Sequence, residues 1–343
     1  MTRNRPPRQR DIAQLANVSQ SVVSMVLNGR AEENGIATAT KERVLAALAD
    51  ANYVPNVAAR SLRAGRNGLI GVHTFEPVFP VDRDDFYNDF LQGIETQAVA
   101  LGLDLVLFSS IQRPDGTTSI YGKGSNRLRL ADGTIMLGHP ENGYELVRLS
   151  HEGYPFVFIG QRDFDGARIP YITADYKSAM KPVVELLVSR GHRRVAYAAA
   201  PDRHRSAQDR LDGFRHYAAN ILGFDVHTLD AADVTAEWVT ARLRDGATAI
   251  VAETADHARV LDVAFATVGL DVPHDVSAVC LDADPDRRRA ARWSHVATPR
   301  LEMGRRAVSL LQRVIESNSD SEPLFEVIPC AVPGDISVAS PPR

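Results

Sequence analysis

The chain has 343 residues, of which 44% are hydrophobic, and its formal net charge at pH 7 is −4. This size suits a small domain joined to one larger, two-lobed domain. The N-terminus is rich in Arg and Pro, and no apolar run reaches about 18 residues, so we expect no signal peptide, no membrane span and a cytoplasmic location. Cys280 and Cys330 lack metal-ligand spacing, and we expect both to be small core residues in a reducing compartment.

Charge is unevenly distributed along the chain. Residues 1–66 contain ten Arg or Lys against five Asp or Glu, so this segment carries +5 and the remainder carries −9. A basic segment ahead of an acidic body is typical of a DNA-binding module fused to a domain that stays off DNA. Residues 2–8 are predicted to form a basic arm that either contacts DNA or is merely solvated.

Two short helical patterns lie close together between residues 11 and 28. The apolar positions i, i+3 and i+4 of the first are Ile12, Leu15 and Ala16. Residues 17–19 interrupt the pattern, because Asn tolerates the left-handed backbone of a tight turn and Ser is a favourable helix N-cap. The second helix resumes an apolar face with Val22, Val23, Val26 and Leu27. Two such helices predict a helix-turn-helix, and a third pattern over residues 42–49 could close a three-helix core.

The exposed side of the second helix carries small polar groups. Gln20, Ser21 and Ser24 could bond to base edges or phosphates if this helix enters a DNA major groove. The alternative is a small helical hairpin whose Ser and Gln side chains are merely solvated.

The surrounding residues resemble the LacI/GalR (lactose-repressor) family of transcription factors. The likeness is carried in order and spacing by Asp11-Ile12-Ala13, Val18-Ser19, Val23-Ser24, Asn28, Asn52-Tyr53-Val54-Pro55-Asn56 and Ala58-Ala59-Arg60-Ser61-Leu62. It implies that Ser19 and Asn28 are further DNA contacts. Met25 stands where many members carry an arginine for a guanine, so the operator preference cannot be transferred from a relative.

The same likeness implies a hinge helix over residues 56–62 that orders when two subunits meet on the operator. This segment makes only about two turns and should be marginal alone, because helix nucleation is costly. Ala59 and Leu62 would enter the minor groove, with Leu62 as a wedge between base steps, and Asn56 and Arg63 would add contacts. A linker-anchoring leucine and a solvated arginine are the alternatives.

From Leu69 onward, strand and helix patterns alternate, which predicts parallel sheets covered on both faces. The predicted strands are 69–73, 103–108, 133–137, 156–159, 195–199, 249–252 and 276–281. The predicted helices are 90–98, 178–188, 207–221, 237–244, 255–268 and 301–315. The fold class is therefore a small all-α helix-turn-helix domain followed by an α/β two-lobed, periplasmic-binding-protein-like domain with doubly wound sheets.

The predicted domain boundaries follow from these patterns and from the likeness. The DNA-binding domain is 1–55, the hinge helix and linker are 56–66, and the effector-binding and dimerisation domain is 67–343. Within the last, the likeness implies a first lobe of about 67–173 and 300–323 and a second lobe of about 174–299 and 324–343. Residues 325–328 are accordingly expected to end in the second lobe.

A ligand is expected in the cleft where the strands of the two lobes end. The likeness implies that Phe86, Tyr87, Arg210, Glu253 and Asp282 contact the effector. The aromatic rings could stack on a sugar or base, or belong to the core; Arg210 could donate to vicinal hydroxyls, or form a surface salt bridge. Asp282 could accept hydroxyl hydrogens at its strand end, or cap a loop. Glu253 replaces the usual amide of the family, which favours a ligand with an amine or extra hydroxyl donors.

We therefore predict a sequence-specific DNA-binding transcriptional regulator, by default a repressor, that acts as a homodimer on a palindromic double-stranded operator. A small, sugar-like effector bound between the lobes would control it, with no cofactor, metal site or membrane association. An activator, or a nucleoside-like or amine-bearing ligand, is the alternative.

Two other classes of protein are disfavoured. Asp282 and Asp284 with the arginines at 287–289 could suggest an enzyme, but no phosphate-cradling Gly loop or His pair at ligand spacing accompanies them. We therefore predict no catalytic residues. A solute-binding protein would share the two lobes, but the basic head and the missing export signal argue against it.

Overall fold

A computed structural model describes residues 7–53, 66–75, 86–112, 118–122, 125–139, 143–317 and 324–342. The chain divides into two compact units, Met1–Asn67 and Gly68–Arg343. The predicted hinge helix, with Asn56, Ala59, Leu62 and Arg63, lies outside the described residues. No helix in the described ranges is both long and apolar enough to cross a membrane.

The described part of the first unit contains three helices around a small apolar core. They are α1 (Gln9–Leu15), α2 (Gln20–Leu27) and α3 (Thr38–Asp50). The core is formed by Ile12, Ala13, Ala16, Val23, Val26, Ala31, Val44 and Ala47. The prediction that Leu15 faces this core is wrong, since Leu15 is 66% exposed. Ala13 takes its place, because Ile12, Ala13 and Ala16 also share one helix face and alanines let neighbouring helices approach closely.

The turn between α1 and α2 has the chemistry that its sequence predicts. Asn17 has a left-handed backbone with φ of 49°, and the Val22 amide donates to the Ser19 hydroxyl oxygen at 3.3 Å. The Arg43 guanidinium of α3 donates to the Ala16 carbonyl oxygen at 2.9 Å. The turn is thus capped from within and tied to the third helix, which confirms the helix-turn-helix.

The second unit has two parallel sheets, one in each lobe. In the first lobe the strands are β1 (Leu69–Thr74), β2 (Asp104–Ser109), the short β3 (Ile111–Gln112), β4 (Thr118–Ser119), β5 (Tyr121–Gly122) and β6 (Ser125–Asn126), and β7 (Gly133–Leu137), β8 (Phe156–Ile159) and β9 (Tyr171–Ala174). In the second lobe they are β10 (Arg194–Ala199), β11 (Gly223–Thr228), β12 (Ala249–Ala252), β13 (Ser277–Cys280) and β14 (Ser294–His295). Strand β15 (Phe325–Ile328), near the C-terminus, belongs to the sheet of the first lobe.

In each sheet the strand order changes direction once, at β1 in the first and at β10 in the second, as in doubly wound folds. The first sheet runs β15-β9-β8-β7-β1-β2 and the second runs β11-β10-β12-β13-β14. The short strands pair antiparallel, β3 with β4 and β5 with β6. Apolar clusters pack on both faces of each main sheet. The predicted parallel, two-lobed architecture is therefore confirmed.

Helices cover both faces of these sheets. They are α4 (Asn88–Ala100), α5 (Tyr144–His151), α6 (Met180–Ser189), α7 (Arg205–Ala218), α8 (Ala236–Arg244), α9 (Ala255–Thr267), the short α10 (Arg287–Ala290) and α11 (Arg300–Glu316). Helix α11 returns the chain to the first lobe, as the family likeness implies, and crosses α4 with its backbone in close contact. A Cβ on Gly93 would lie 2.0 Å from the Leu301 carbonyl oxygen, and one on Gly304 would lie 2.2 Å from the Phe90 carbonyl oxygen.

The prediction that residues 325–328 belong to the second lobe is wrong. Strand β15 pairs in parallel with β9 of the first sheet, Phe325 opposite Tyr171, and the two rings stack with centroids 5.5 Å apart. Ile328 is buried in the first-lobe core. The chain enters the second lobe only after this strand, where Ala331 bridges to Ala297. An edge position beside β9 allows β15 to complete the sheet before the last crossing.

Candidate functional site

Helix α2 presents an open polar face. Ser19, Gln20, Ser21 and Asn28 are exposed, and Ser24 and Met25 are half-buried. The buried Val23 and Val26 lie on the opposite face. All six predicted DNA contacts of this helix therefore sit on or beside its outer surface.

Some of these polar groups also stabilise the helix. The Ser19 hydroxyl oxygen caps α2, and the Asn28 side-chain amide donates to the Ser24 hydroxyl oxygen at 3.4 Å. A serine hydroxyl that accepts one hydrogen bond can still donate its proton to a phosphate oxygen. Capping and DNA contact are thus compatible roles for Ser19.

A cavity of about 560 Å³ lies between the lobes of the second unit. Its first-lobe wall includes Gly138 and Gly160, directly after β7 and β8. Its second-lobe wall includes Ala200, Thr254 and Asp282, just beyond the ends of β10, β12 and β13. The carboxyl ends of five strands therefore converge on one cavity, the usual ligand position in such folds.

Arg210 enters this cavity from the second-lobe helix α7. The helix packs closely on the preceding segment, since a Cβ on Gly213 would lie 2.4 Å from the Lys177 carbonyl oxygen. The Arg210 guanidinium carbon lies 4.6 Å from the centroid of the Tyr176 ring, and its Nη2 lies 3.7 Å from Asp282 Oδ1. Burial opposes the charged form, but the Asp282 carboxylate holds the pKa of Arg210 above its ordinary value.

Asp282 lies two residues beyond β13, where two groups from the returning chain hold it. Thr298 Oγ1 donates to Asp282 Oδ1 at 3.1 Å, and Arg300 Nη2 donates to the same oxygen at 2.6 Å. Its own backbone carbonyl accepts from Cys280 Sγ at 2.8 Å. The carboxylate is therefore fixed at the cavity wall between two guanidinium groups.

The two predicted aromatic residues lie at the cavity but differ in exposure. Tyr87 is buried and Phe86 is 45% exposed, with the two rings perpendicular and 5.2 Å apart. The Arg300 guanidinium carbon lies 4.6 Å from the Phe86 ring centroid. Tyr87 also belongs to the first-lobe core. It therefore both packs in the core and lines the cavity.

Glu253 does not line the cavity. It is fully buried, with 0% exposure, and its carboxylate accepts from Tyr197 Oη at 2.9 Å, the Ala200 amide at 2.8 Å and Arg203 Nη1 at 2.6 Å. The expectation that Glu253 contacts the effector directly therefore does not match its position. The carboxylate instead fixes the loop after β10, and its neighbour Thr254 lines the cavity in its place.

Sequence reasoning missed Arg300, which is 5% exposed and lines the cavity. A signal was available, because Arg300 begins an apolar stripe at i, i+3, i+4 and i+7 whose other members are Met303, Gly304 and Ala307. A charged residue on the buried face of a helix needs a charged or polar partner. Tyr176 and Thr298, from the crossings between lobes, were missed as well.

The two lobes also contact each other beside the cavity. Arg205 Nη1 of the second lobe lies 2.7 Å from Asp163 Oδ2 of the first. The His139 and His204 rings stack across the same gap with centroids 3.5 Å apart. Both contacts would have to break if the lobes separated.

The acidic and basic residues considered for catalysis have structural partners. Asp284 accepts from Arg259 Nε at 2.7 Å and from Arg289 Nε at 3.3 Å. Asp286 caps α10 by accepting from the Arg288 amide at 2.8 Å. This cluster is an ion-pair network that fixes the loop after β13.

Comparisons with known proteins match both units. Residues 10–56 match the family model of bacterial regulatory proteins, lacI family, and residues 184–335 match that of the periplasmic binding protein-like domain. An uncharacterized HTH-type transcriptional regulator in the aml 5′ region of Streptomyces limosus is 31% identical over 289 residues, which cover 80% of this chain and 78% of that protein. The HTH-type transcriptional regulator MalR of Streptomyces coelicolor is 30% identical over 297 residues, 80% of each chain.

Solved structures of similar fold cover almost the whole chain. The lac repressor dimer bound to operator and the anti-inducer ONPF has a TM-score of 0.74 and 21% identity, over 98% of this chain and 100% of that one. The transcriptional regulator CelR–cellobiose complex has a TM-score of 0.62 and 23% identity, over 95% and 98%. The likeness thus includes the small helical unit and both lobes.

Proposed function

Because this chain belongs to the lacI family of bacterial regulatory proteins and is a DNA-binding transcriptional regulator, we propose that it is a repressor controlled by a sugar-like effector. It acts in the cytoplasm as a homodimer on a roughly palindromic operator, and it has no catalytic activity. A bound dimer would block transcription by occupying the DNA.

The open polar face of α2 supports the DNA half of this proposal. Gln20, Ser21 and Ser24 can reach base edges and phosphates when the helix lies in a major groove. Two copies related by a twofold axis would read two half-sites, so the symmetry of the dimer sets the symmetry of the operator. The relative of known structure cited above, the lac repressor, was solved as a dimer on its operator.

The proposal that a sugar-like effector binds rests on one observation, the pairing of Arg210 with Asp282 in a buried cavity. A guanidinium donates to hydroxyl oxygens and a carboxylate accepts hydroxyl hydrogens, so the two together complement a polyol. The aromatic surface of Phe86 and Tyr87 suits the apolar face of a sugar ring. The CelR structure contains cellobiose, which is consistent with a saccharide in a cavity of this kind.

Regulation follows from the position of the cavity between two lobes. An effector that contacts both walls stabilises one relative position of the lobes over others, and only this difference in affinity can change DNA binding. The contacts between the lobes that would form or break in such a change are the Arg205–Asp163 ion pair and the stacked His139 and His204 rings. Coupling of about 1–3 kcal/mol is typical and would change operator affinity roughly 5- to 150-fold.

Selection of DNA from a random pool by the purified full-length protein tests whether it binds a specific operator. We expect enrichment of one sequence with approximate twofold symmetry, bound at least about a thousandfold more tightly than random DNA. Enrichment of no sequence would contradict operator binding.

Operator affinity measured with and without small sugars tests whether a sugar-like effector controls DNA binding. We expect a sugar to change the affinity of the wild type, whereas Arg210→Ala should bind the operator like the wild type but no longer respond. An unchanged response in Arg210→Ala, with the protein folded, would remove Arg210 from the effector site.

A further inference from the structure

Two arginines of the cavity are almost entirely buried. Arg210 is 7% exposed and Arg300 is 5% exposed, and both line the cavity between the lobes. They converge on one carboxylate, with Arg300 Nη2 at 2.6 Å and Arg210 Nη2 at 3.7 Å from Asp282 Oδ1. Two buried cations therefore share a single anionic oxygen.

The described groups packed around this pair do not balance its charge. Glu253 also acts on Arg210, but its carboxylate is bonded to Arg203. Burial raises the pKa of Tyr176 to about 12 and the pKa of Tyr197 well above 10, so both phenols are neutral at pH 7. Among the described residues, three arginines thus face two carboxylates, which leaves a surplus of one positive charge beside the cavity.

Two more peripheral arginines of the cavity, Arg205 and Arg259, do not add to this surplus, because each has carboxylate partners. Arg205 pairs with Asp163 and Asp209, and Arg259 pairs with Asp284 and Asp256.

The two buried guanidinium groups also retain unused hydrogen-bond donors. Within the described residues, Arg210 makes no hydrogen bond and Arg300 makes one, to Asp282. The Nε of each is buried and has no hydrogen-bond acceptor in the part of the chain that the structure describes. A guanidinium offers five donors in a planar fork that matches two oxygens of a carboxylate or a phosphate.

We propose that the effector is a hydroxylated ring bearing one anionic group, a carboxylate or a phosphate, which binds between Arg210 and Arg300. This inference rests on the proposed function of the cleft as the effector site. The anionic group cancels the buried surplus, whereas an uncharged sugar leaves it in place. Asp282 accepts from a ring hydroxyl beside the anionic group, and Phe86 and Tyr87 cover the apolar face of the ring.

Calorimetric titration of the full-length protein with matched ligands tests the charge requirement. The probes are glucose, galactose and mannose, each with its uronate and its 6-phosphate, together with the neutral disaccharides maltose and cellobiose. We expect one uronate or one 6-phosphate to bind at least about tenfold more tightly than the hexose from which it derives. Whether the uronate or the phosphate binds identifies the anionic group.

Variants test whether the two arginines hold that group. In Arg300→Gln we expect the advantage of the charged sugar over its parent hexose to fall at least about tenfold, with the protein still folded by circular dichroism. Inorganic phosphate alone should raise the melting temperature of the wild type and not that of Arg300→Gln. Arg194→Gln is the control with the same charge change, since Arg194 pairs with Asp225 at the protein surface, and it should behave as wild type in both measurements.

The possible outcomes separate this proposal from the function on which it rests. If a neutral sugar binds as tightly as its charged counterparts and changes operator affinity, the effector needs no anionic group. Control of DNA binding by an effector is then still supported. If a charged sugar binds but operator affinity does not change, the anionic site is supported and its regulatory role is contradicted. If neither a charged sugar nor inorganic phosphate binds to the folded wild type, the anionic site is overturned.

Discussion

Glu253 illustrates how one buried carboxylate can shape a ligand cavity without entering it. Its two oxygens accept three hydrogen bonds from Tyr197, Ala200 and Arg203, which fixes the loop after β10 that contributes Ala200 to the cavity wall. Its influence on the effector is therefore indirect, through the position of that loop. If Glu253 has this structural role, its substitution should lower the stability of the protein.

Glu253→Gln should lower the free energy of unfolding by about 2 kcal/mol, because it removes the charge that Arg203 faces and replaces one acceptor by a donor. Urea denaturation of wild type and variant measures this difference. Glu185→Gln is the matched control, since Glu185 forms an exposed 3.9 Å ion pair with Lys181, and it should change stability by less than about 0.5 kcal/mol. Equal effects of the two substitutions would contradict a structural role for Glu253.

Burial of His73 should make the stability of the protein depend on pH. The side chain is buried in β1 with Nδ1 at 3.0 Å from the Phe108 carbonyl oxygen, and burial lowers its pKa from 6.5 to about 4. The unfolded chain therefore takes up a proton at His73 before the folded chain does. Its contribution to stability is complete above pH 6.5 and is lost as pH falls from 6.5 towards 4.

The stability difference between wild type and His73→Asn should accordingly shrink by about 2 kcal/mol between pH 7 and pH 5. Denaturant unfolding of both proteins at several pH values in this window measures it. The comparison isolates His73, because all other titrating groups are common to the two chains. A difference that does not change with pH would show that His73 is not held neutral in the folded protein.

At the scale of elements, the crossing of α4 and α11 connects the first-lobe core to the cavity. Gly93 and Gly304 let the two backbones touch. This close approach places Phe86, just before α4, against Arg300, the first residue of α11. Glycine is required here by contact with a neighbouring helix and not by an unusual backbone angle.

Gly93→Ala should therefore destabilise the protein by about 3 kcal/mol, since the new methyl group would meet a backbone carbonyl that cannot move independently of its helix. Thermal and urea unfolding report the change. Gly334→Ala is the control, because a Cβ there has open space around it, and it should be nearly neutral. Similar stability of both variants would mean that the helices can separate at little cost.

At the scale of the whole molecule, charge divides between the two ends of the chain. The first 66 residues carry +5 and the rest carry −9. The basic end attracts phosphates, and the acidic remainder is repelled by them, so non-specific contact of the large unit with DNA is disfavoured. Association with DNA should then depend strongly on ionic strength.

Operator affinity should fall roughly a thousandfold or more between 50 and 200 mM salt, as expected for about six or more phosphate contacts that release counterions. Fluorescence anisotropy with labelled operator at several salt concentrations measures the slope. Arg194→Gln, in the acidic unit, should leave the slope unchanged. A nearly flat salt dependence would contradict phosphate binding by the basic end.

The sequence by itself determined the helix-turn-helix and the alternating strands and helices of the lobes. These features depend on local periods and on turn residues such as Asn17 and Ser19, which act within a few residues of the chain. It also indicated Arg210 and Asp282 as residues of the cleft, through the family likeness.

Only the tertiary structure decided which side chains meet at the cavity. Glu253 is bonded to Arg203, 50 residues away in sequence, and is therefore removed from the ligand. Arg300 enters the cavity because α11 begins where the chain recrosses between lobes, 18 residues after Asp282. Strand β15 joins the first lobe because β9 offers it a free edge. Each of these outcomes depends on segments distant in sequence becoming neighbours, and no local pattern encodes that.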